Sequence, residues 1–229
     1  MMSEIKLEAV DLGSNGLFVY QNKNGYTLSS DAVMLANYVK CKSTDTVVDL
    51  CSGSGIIGIL VYIKNNPKKT YLVEIQKSLY ELSLASVRDN GYINVECINH
   101  DARDLSGIFK PSSVDVVMCN PPYFRKGEGK LSGCEEINIA RHELKITLDD
   151  IICESSKVLK TKGHFYMVLK TYRLYETLNL LSKYNMGAKE VRLVFRENKI
   201  DSDVFMVTAQ KGYVGNIKFT RQISENPAK

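Results

Sequence analysis

Four consecutive residues, Asn120-Pro121-Pro122-Tyr123, form the most chemically suggestive stretch of the sequence. They follow Val114–Cys119, a short apolar run whose β-branched residues predict a buried strand. In open α/β sheets, ligands bind just beyond the carboxyl ends of the strands. The sequence therefore predicts a ligand site at this tetrapeptide.

These residue types suit the methylation of a planar amino group that is conjugated to a ring or a carbonyl. The Asn120 side-chain oxygen and the Pro121 carbonyl can each accept a hydrogen bond from such a nitrogen, which favours its more reactive pyramidal form. The prolines restrict the backbone and keep both acceptors aimed, while Tyr123 offers a ring for stacking an extruded base. The alternative is an ordinary turn, with Asn120 bonded to its own backbone and Tyr123 covering the core.

A glycine-rich turn follows an earlier predicted strand, Thr46–Cys51. Its pattern, Gly53-x-Gly55-x-x-Gly58, fits the dinucleotide-binding fingerprint, so a nicotinamide-dependent dehydrogenase is a rival hypothesis. Asp49 argues against that rival, because a carboxylate at the mouth of the loop would repel a pyrophosphate. The same carboxylate would favour S-adenosylmethionine, which carries an ammonium and a sulfonium but no phosphate. Alternatively, Asp49 is a turn residue or interacts with the helix dipole.

Three further positions are candidates for binding the cofactor. Glu74 ends the predicted strand Tyr71–Ile75, where an acidic residue about 20 positions after the glycine loop binds ribose hydroxyls of either cofactor. Asp101 follows the predicted strand Val95–Asn99 and either accepts from the cofactor's adenine amino group or caps a short helix. Ser30 and Asp31 begin a predicted helix, capped by Ser29 or Ser30, that either packs over the cofactor or is a plain N-terminal helix.

Composition and charge are those of an ordinary globular protein. The 229 residues are 44% hydrophobic and 24% charged, and the net charge of +4 is compatible with a polyanionic partner. The six cysteines show no Cys-x-x-Cys or His-paired spacing, so we expect reduced thiols, no metal site and a cytoplasmic protein. The start of the chain has no long apolar segment, and we expect no signal peptide and no membrane span.

The order of predicted elements gives an α/β protein with three parts. Residues 1–40 are expected to form an N-terminal extension that consists of a small hairpin, with a strand near Leu17–Gln21, and a helix. Residues 41–212 are expected to form the main domain, and residues 213–229 a polar, basic, partly disordered tail. Within the main domain, a capping box at Thr147–Asp150 opens a helix, and Lys189–Arg196 and Val204–Gln210 form a terminal antiparallel pair.

Taken together, these motifs resemble those of the bacterial tRNA1(Val) adenine-37 N6-methyltransferase family, including its Gram-positive branch. The resemblance rests on Ser30–Ala32 with Leu35, Asp49–Ile57, Val73–Gln76, Cys119–Phe124 and Ile139–Glu143, and covers roughly residues 15–212. It implies a class I S-adenosylmethionine-dependent methyltransferase fold, with a Rossmann-like seven-stranded sheet in the order 3-2-1-4-5-7-6. The sequence departs from the best-studied branch at His142, where that branch has an aromatic residue.

The resemblance also implies roles for particular residues. Asn120, Pro121 and Tyr123 would hold the target adenine. The expected cofactor-binding residues are Ser30, Asp31, Asp49, Cys51, Gly53, Gly55, Glu74, Ile75, Asp101, Ala102 and Asn120. Basic residues near the site, Arg125, Lys126, Arg141 and Lys145, are candidates for contacting RNA phosphates, although any of them could be simply solvated.

The expected reaction is therefore methyl transfer to N6 of adenine in RNA, with an adenine of a tRNA anticodon loop as the expected target, by a monomer that needs no metal and releases S-adenosylhomocysteine. The alternatives are a glutamine-N5 methyltransferase acting on protein, an adenine methyltransferase acting on ribosomal RNA or DNA, and a nucleic-acid-binding module with a vestigial pocket. The sequence names neither the RNA nor the adenine.

Overall fold

The N-terminal part of the chain forms a small antiparallel sheet and a helix. The computed structural model describes residues 7–11, 17–25, 27, 29–197 and 199–224. Strands β1 (Leu7–Asp11) and β2 (Phe18–Asn22) pair antiparallel, which confirms the predicted strand near Leu17–Gln21. Helix α1 (Ser30–Tyr38) is capped by Ser29, whose side chain accepts from the backbone N–H of Ala32.

A second, mixed sheet of eight strands forms the body of the protein. In chain order its strands are β3 (Thr46–Leu50), β4 (Lys69–Glu74), β5 (Val95–Asn99), β6 (Val114–Cys119), β7 (Leu159–Lys170), β8 (Met186–Arg196), β9 (Ser202–Lys211) and β10 (Lys218–Ser224). Their spatial order is β5-β4-β3-β6-β7-β9-β8-β10. Strands β3 to β7 are mutually parallel, and β9 runs antiparallel between β7 and β8.

The expected strand order is confirmed, but the expected number of strands is wrong. Counted from β3, the first seven strands follow the 3-2-1-4-5-7-6 order. The eighth, β10, comes from the segment that was expected to be a partly disordered tail, and it pairs parallel with the outer edge of β8. The residues of β10 are too polar to predict a buried strand. The strand forms because it pairs with the unpaired backbone groups at the edge of β8, and the sequence does not show where such an edge lies.

Five further helices connect the strands, and the sheet is covered on both faces. The helices are α2 (Ile56–Asn65), α3 (Lys77–Asp89), α4 (Glu135–Arg141), α5 (Leu148–Val158) and α6 (Leu174–Lys183). Along β6, Val117 packs into a cluster with α5 and α6, while Val116 and Met118 pack into a second cluster with α1 and α2. Parallel strands buried on both faces read as continuous apolar runs, as β6 does. Helix α4, which was not predicted, has no buried residue and lies outside these layers.

Candidate functional site

The turn between β3 and α2 requires glycine. Cys51, Gly53 and Gly55 have φ angles of 54°, 57° and 84°, all in the left-handed region that favours glycine. A Cβ atom added at Gly55 would lie 2.7 Å from Leu72 Cδ1. The Gly55 N–H donates to the Ser52 carbonyl at 2.8 Å, which closes the turn tightly. The backbone of the loop can therefore approach a ligand closely.

Glu74 fixes this glycine loop from the end of β4. Its Oε2 accepts from the backbone N–H of Gly53 at 2.8 Å, and its Oε1 accepts from that of Gln76 at 2.8 Å. The side chain is almost fully buried, and burial raises the pKa of the carboxyl, although the two backbone donors oppose that effect. Glu74 thus joins the loop to the neighbouring strand and presents a desolvated acid to the cavity.

Asp49 lies beneath the loop rather than at its mouth. Its Oδ2 accepts from the backbone N–H of Gly58 in the first turn of α2, at 2.9 Å. The side chain is fully buried, and its other oxygen, Oδ1, has no hydrogen-bond partner among the described residues. Burial raises the pKa of Asp49 to about 8, with a smaller contribution from the charge of Glu74. Burying an unpaired carboxylate costs free energy, so a nearby positive charge or hydrogen-bond donor would stabilise the ionised form of Asp49.

A cavity lined by 23 residues opens over the glycine loop. Of the expected cofactor-binding residues, its walls include Cys51, Gly53, Glu74, Ile75, Asp101, Ala102 and Asn120. Ser30, Asp31, Asp49 and Gly55 do not line it. The N-terminal segment contributes Thr27, Ser29 and Ala32 instead, and the stretch from α4 onward contributes Ile139, Ala140, Lys145 and Ile146.

Two lining residues, Gln76 and His100, were assigned no role from the sequence. His100 directly follows β5 and Gln76 lies two residues after β4, so proximity to a strand's carboxyl end was the signal that could have identified them. The lining residues of α4 carried no such signal.

Asp101 is held by an arginine in the same loop. The Arg103 guanidinium donates to both carboxylate oxygens, with Nη2 to Oδ2 at 2.6 Å, and the Arg103 backbone N–H donates to Oδ1 at 2.9 Å. This arginine lowers the pKa of Asp101. The following helical turn, Leu105–Gly107, is capped by Asp104, so Asp101 does not serve as its cap. The carboxylate of Asp101 is therefore ionised and fixed at the cavity wall.

The Asn-Pro-Pro-Tyr segment lies at the carboxyl end of β6, beside the glycine loop. Asn120 and Pro122 line the cavity, whereas Pro121 is buried and is not among the lining residues. The Oδ1 atom of Asn120 is buried and has no hydrogen-bond partner among the described residues. A buried acceptor without a donor costs about 1–3 kcal/mol, so this orientation is unfavourable for the fold alone.

Tyr123 is anchored to the N-terminal helix. Its hydroxyl donates to Asp31 Oδ2 at 2.8 Å, across 92 positions of sequence. Lys170 Nζ lies 5.6 Å from the centre of its ring, and its carbonyl accepts from the Tyr172 hydroxyl at 3.2 Å. Asp31, expected to contact the cofactor, is thus bonded to a residue expected to contact the substrate.

The segment after the tetrapeptide is joined to the residues that follow α4. The Phe124 N–H donates to the Arg141 carbonyl at 3.0 Å, and the Glu143 N–H donates to the Phe124 carbonyl at 2.8 Å. The His142 ring is buried and stacks on Phe124, with 5.2 Å between the ring centres. His142 therefore packs the two segments together.

The four basic residues expected at the site differ in their environments. Arg125 is engaged in ion pairs with Glu128 at 2.8 Å and Glu176 at 2.7 Å. Lys126, Arg141 and Lys145 are exposed, and no ion pair between described residues includes them; Lys145 also lines the cavity. Three of the four are thus available to an anionic ligand.

Two general features of the described part of the chain bear on the class of protein. In residues 7–11, 17–25, 27, 29–197 and 199–224, no three or more His, Cys, Asp or Glu side chains are grouped so that they could hold a metal ion. Within the same ranges, no helix has the length and apolarity to cross a membrane.

The glycine turn, the cavity above it and the motif at the end of β6 define a methyltransferase. Residues 27–200 match the model of the methyltransferase small domain family, and the chain belongs to that family. The resemblance drawn from the sequence is thereby confirmed at the level of the family.

Relatives with assigned activities are distant. The chain is 22% identical over 177 residues to a tRNA1(Val) (adenine(37)-N6)-methyltransferase of Aliivibrio salmonicida, covering 77% of this chain and 74% of that protein. It is 23% identical to a protein of the same name from Pseudoalteromonas translucida, covering 63% of this chain but only 60% of the relative. A release factor glutamine methyltransferase of Mycoplasma mycoides is 25% identical, covering 59% of this chain and 50% of that protein.

Solved structures share the fold. A predicted O-methyltransferase of Agrobacterium tumefaciens superposes with a TM-score of 0.66 at 20% identity, covering 86% of this chain and 89% of that one. TYW2 of M. jannaschii, solved in complex with AdoMet, superposes with a TM-score of 0.63 at 16% identity, covering 92% of this chain and 88% of that one. At these identities the likeness shows the fold alone.

Proposed function

We propose that the protein transfers a methyl group from S-adenosylmethionine to the N6 amino group of an adenine in a tRNA anticodon loop. The observation that carries this proposal is Asn120, which lines the cavity and whose Oδ1 is buried without a donor among the described residues. An exocyclic amino group would supply the missing donor. The cost of leaving the acceptor unpaired is then removed only when the substrate is present.

The residues around the cavity fit S-adenosylmethionine. The cavity combines apolar walls, such as Ile75, Ala102 and Ile139, with a few polar groups, as small-molecule sites do. The carboxylates of Glu74 and Asp101 at its wall, with Asp49 beneath the loop, suit a ligand that carries two positive charges rather than a pyrophosphate. When bound, this cofactor supplies an electrophilic methyl group.

Each residue then has a definite task. The Glu74 carboxylate would accept from ribose hydroxyls, the Asp101 carboxylate would accept from the cofactor's adenine amino group, and the side chains of Ile75 and Ala102 would contact the adenine ring. The glycine loop, Gly53 to Gly55, lets the backbone approach the methionine portion, and Cys51 lies beside it at the wall. Ser30 reaches none of these positions, and Asp31 acts through Tyr123.

The target nitrogen is oriented by the tetrapeptide. Asn120 Oδ1 and the Pro121 carbonyl would accept its two hydrogens and favour the pyramidal form that the transition state requires. Tyr123 would stack on the base, and the hydrogen bond from its hydroxyl to Asp31 holds the ring in one orientation. The chain acts in this proposal as a monomer, with RNA as its partner.

Protein glutamine methylation is the second candidate. The observation that favours it is the likeness to the release factor glutamine methyltransferase of Mycoplasma mycoides. A glutamine amide is also a planar amino group, and Asn120 would orient it in the same way. The exposed cations Lys126, Arg141 and Lys145 favour a polyanionic acceptor and therefore RNA.

The test is methyl transfer from labelled S-adenosylmethionine to unmodified total tRNA, with ribosomal RNA, total protein and genomic DNA as parallel acceptors. Nucleoside analysis should find N6-methyladenosine in the tRNA. Asn120→Ala should keep its affinity for the cofactor and lose about a hundredfold in kcat, the typical effect of removing one oriented hydrogen-bonding group. Asn37→Ala, which removes an exposed asparagine on α1, is the matched control.

The outcomes separate the hypotheses. Label in protein instead of RNA would establish the glutamine methyltransferase. Near-complete transfer by Asn120→Ala would show that Asn120 does not orient the acceptor.

A further inference from the structure

Two tyrosines stand outside the core next to the catalytic segment. The carboxyl end of β7 leads into a helical turn, Thr171–Arg173, and then into α6. Tyr172 is 56% exposed and Tyr175 is 80% exposed, and neither belongs to either hydrophobic cluster. Their spacing of three places both rings on one face. Packing of the core therefore does not explain these two aromatic rings.

Tyr172 is joined directly to the proposed acceptor site. Its hydroxyl lies 3.2 Å from both the Tyr123 carbonyl oxygen and Glu128 Oε2, and its single proton is shared between these two acceptors. The guanidinium of Arg125 lies over its ring, 6.0 Å from the centre. The ring of Tyr172 is thus fixed beside the residue that is proposed to stack on the target adenine.

The backbone that carries both tyrosines is held rigidly from below. Between them, Arg173 is buried and forms ion pairs with Glu143 at 2.7 Å and Glu176 at 3.0 Å. Glu176 also pairs with Arg125, so the first turn of α6 is bound to the segment that follows the catalytic tetrapeptide. A surface fixed in this way loses little conformational entropy when a ligand binds.

The charge near these rings suits a nucleic acid. Lys126 and Lys130 belong to the loop that follows the tetrapeptide, and neither appears in an ion pair with the described residues. The nearby acids Glu128 and Glu176 are both engaged with arginine. Exposed aromatic rings beside unneutralised lysines are the combination by which proteins bind unpaired nucleotides.

We propose that Tyr172 and Tyr175 form a stacking surface for the unpaired RNA bases that flank the target adenine. This inference rests on the proposed function, since it names the substrate conformation that the same site would accept. Extruding one adenine unstacks its neighbours, and the Tyr172 ring beside Tyr123, together with the exposed Tyr175 ring three residues on, would hold those neighbours in place. Lys126 and Lys130 would contact the phosphates between them.

The experiment measures RNA affinity apart from catalysis. The probe is a fluorescently labelled RNA hairpin with an adenine-containing loop, compared with a fully paired duplex of the same length at one fixed salt concentration. We expect Tyr175→Ala to weaken hairpin binding about tenfold, since one base stacked on an aromatic ring contributes roughly 1–3 kcal/mol. Tyr175→Phe should bind as the wild type does, and duplex binding should change little.

Phe219→Ala is the matched control, because it removes another exposed aromatic ring, on β10 at the far edge of the sheet. It should leave hairpin affinity unchanged. Cofactor affinity, measured by calorimetry, should be the same in all these variants. The KM for RNA should rise in Tyr175→Ala more than kcat falls.

The result that overturns the proposal is equal hairpin affinity in Tyr175→Ala, Tyr172→Ala and the wild type. If the wild type methylates RNA in that case, the stacking surface is wrong while the proposed function stands. If the wild type neither binds nor methylates RNA, both are wrong. A loss of affinity that is the same for duplex and hairpin would also contradict stacking, because paired bases offer no free ring face.

Discussion

Replacing Asp49 with asparagine should change how the stability of the protein depends on pH. The folded protein raises the pKa of Asp49 from 3.8 to about 8, chiefly because the carboxyl is completely buried. Between those pH values the folded state keeps the proton and the unfolded chain releases it. The free energy of unfolding must therefore fall as pH rises from about 4 to about 8, and the whole penalty is present above pH 8.

The size of the effect follows from this shift. A difference of about 4 pKa units corresponds to an upper limit of roughly 5–6 kcal/mol at 1.36 kcal/mol per unit. In Asp49→Asn the amide oxygen can still accept from the Gly58 N–H, as Asp49 Oδ2 does at 2.9 Å. The variant carries no charge at any pH, so its stability should lack this decrease. The wild type and the variant should thus be similar near pH 4 and differ by several kcal/mol near pH 8.

The assay is urea unfolding of the cofactor-free protein at a series of pH values. Asp201→Asn, which removes an exposed carboxylate, is the control. Parallel stability–pH curves for the wild type and Asp49→Asn would refute the reasoning, because they would mean that Asp49 titrates alike in both states. We also expect Asp49→Asn to bind S-adenosylmethionine more weakly, since the variant cannot release a proton to become the carboxylate that would favour the cationic cofactor. Stability and cofactor affinity would then change in opposite directions.

Three further predictions concern parts of the fold outside the glycine loop. Arg173→Met should destabilise the protein by about 3 kcal/mol in urea unfolding, because it removes the buried guanidinium that pairs with Glu143 and Glu176, whereas Lys183→Met at an exposed ion pair should cost under about 1 kcal/mol. Tyr123→Phe and Asp31→Asn should each lower kcat, and a double-mutant cycle should find them non-additive, since their side chains share one hydrogen bond; additive effects would contradict the link. Deleting residues 217–229 should lower the Tm yet leave the Kd for S-adenosylmethionine unchanged, because β10 lies five strands, roughly 24 Å, from β3; a lost affinity would contradict that separation.

Much of the parallel part of the fold could be predicted because its signals are local. The run Thr46–Leu50 is mostly apolar, and a short run of this kind predicts a strand in the interior of a sheet. The glycines that follow it permit a tight turn before α2. At the start of α5, Thr147 and Asp150 form the expected reciprocal capping box. The order of the strands in the sheet could be predicted only from the resemblance to the methyltransferase family, because nothing in the local sequence indicates which strands lie side by side.

The elements that could not be predicted are ordered by partners distant in sequence. Helix α4 has no buried residue, so it lacks the apolar periodicity that predicts a helix. It is held in place by contacts such as the hydrogen bond that the Ser78 hydroxyl donates to Glu136 Oε2 at 2.7 Å. Strand β10 is polar on one side and exposed on the other, and it exists because β8 offers an unpaired edge. The long-range contacts of α4 and the unpaired edge of β8 cannot be recognised from the residues that neighbour these elements in the sequence.

The sequence by itself was enough to indicate the chemistry that we propose for the site. The residue types in Asn120–Tyr123, and the glycines at Gly53 and Gly55, are sufficient to indicate an oriented amino acceptor and a close-lying cofactor, because those capacities belong to the residues themselves. Only the tertiary structure decided how these residues are used. It buried Asp49 beneath the loop, bonded Tyr123 to Asp31, and left Asn120 Oδ1 without a donor. Burial and long-range hydrogen bonds are properties of the packed chain, since they depend on which surfaces exclude water and which distant groups meet.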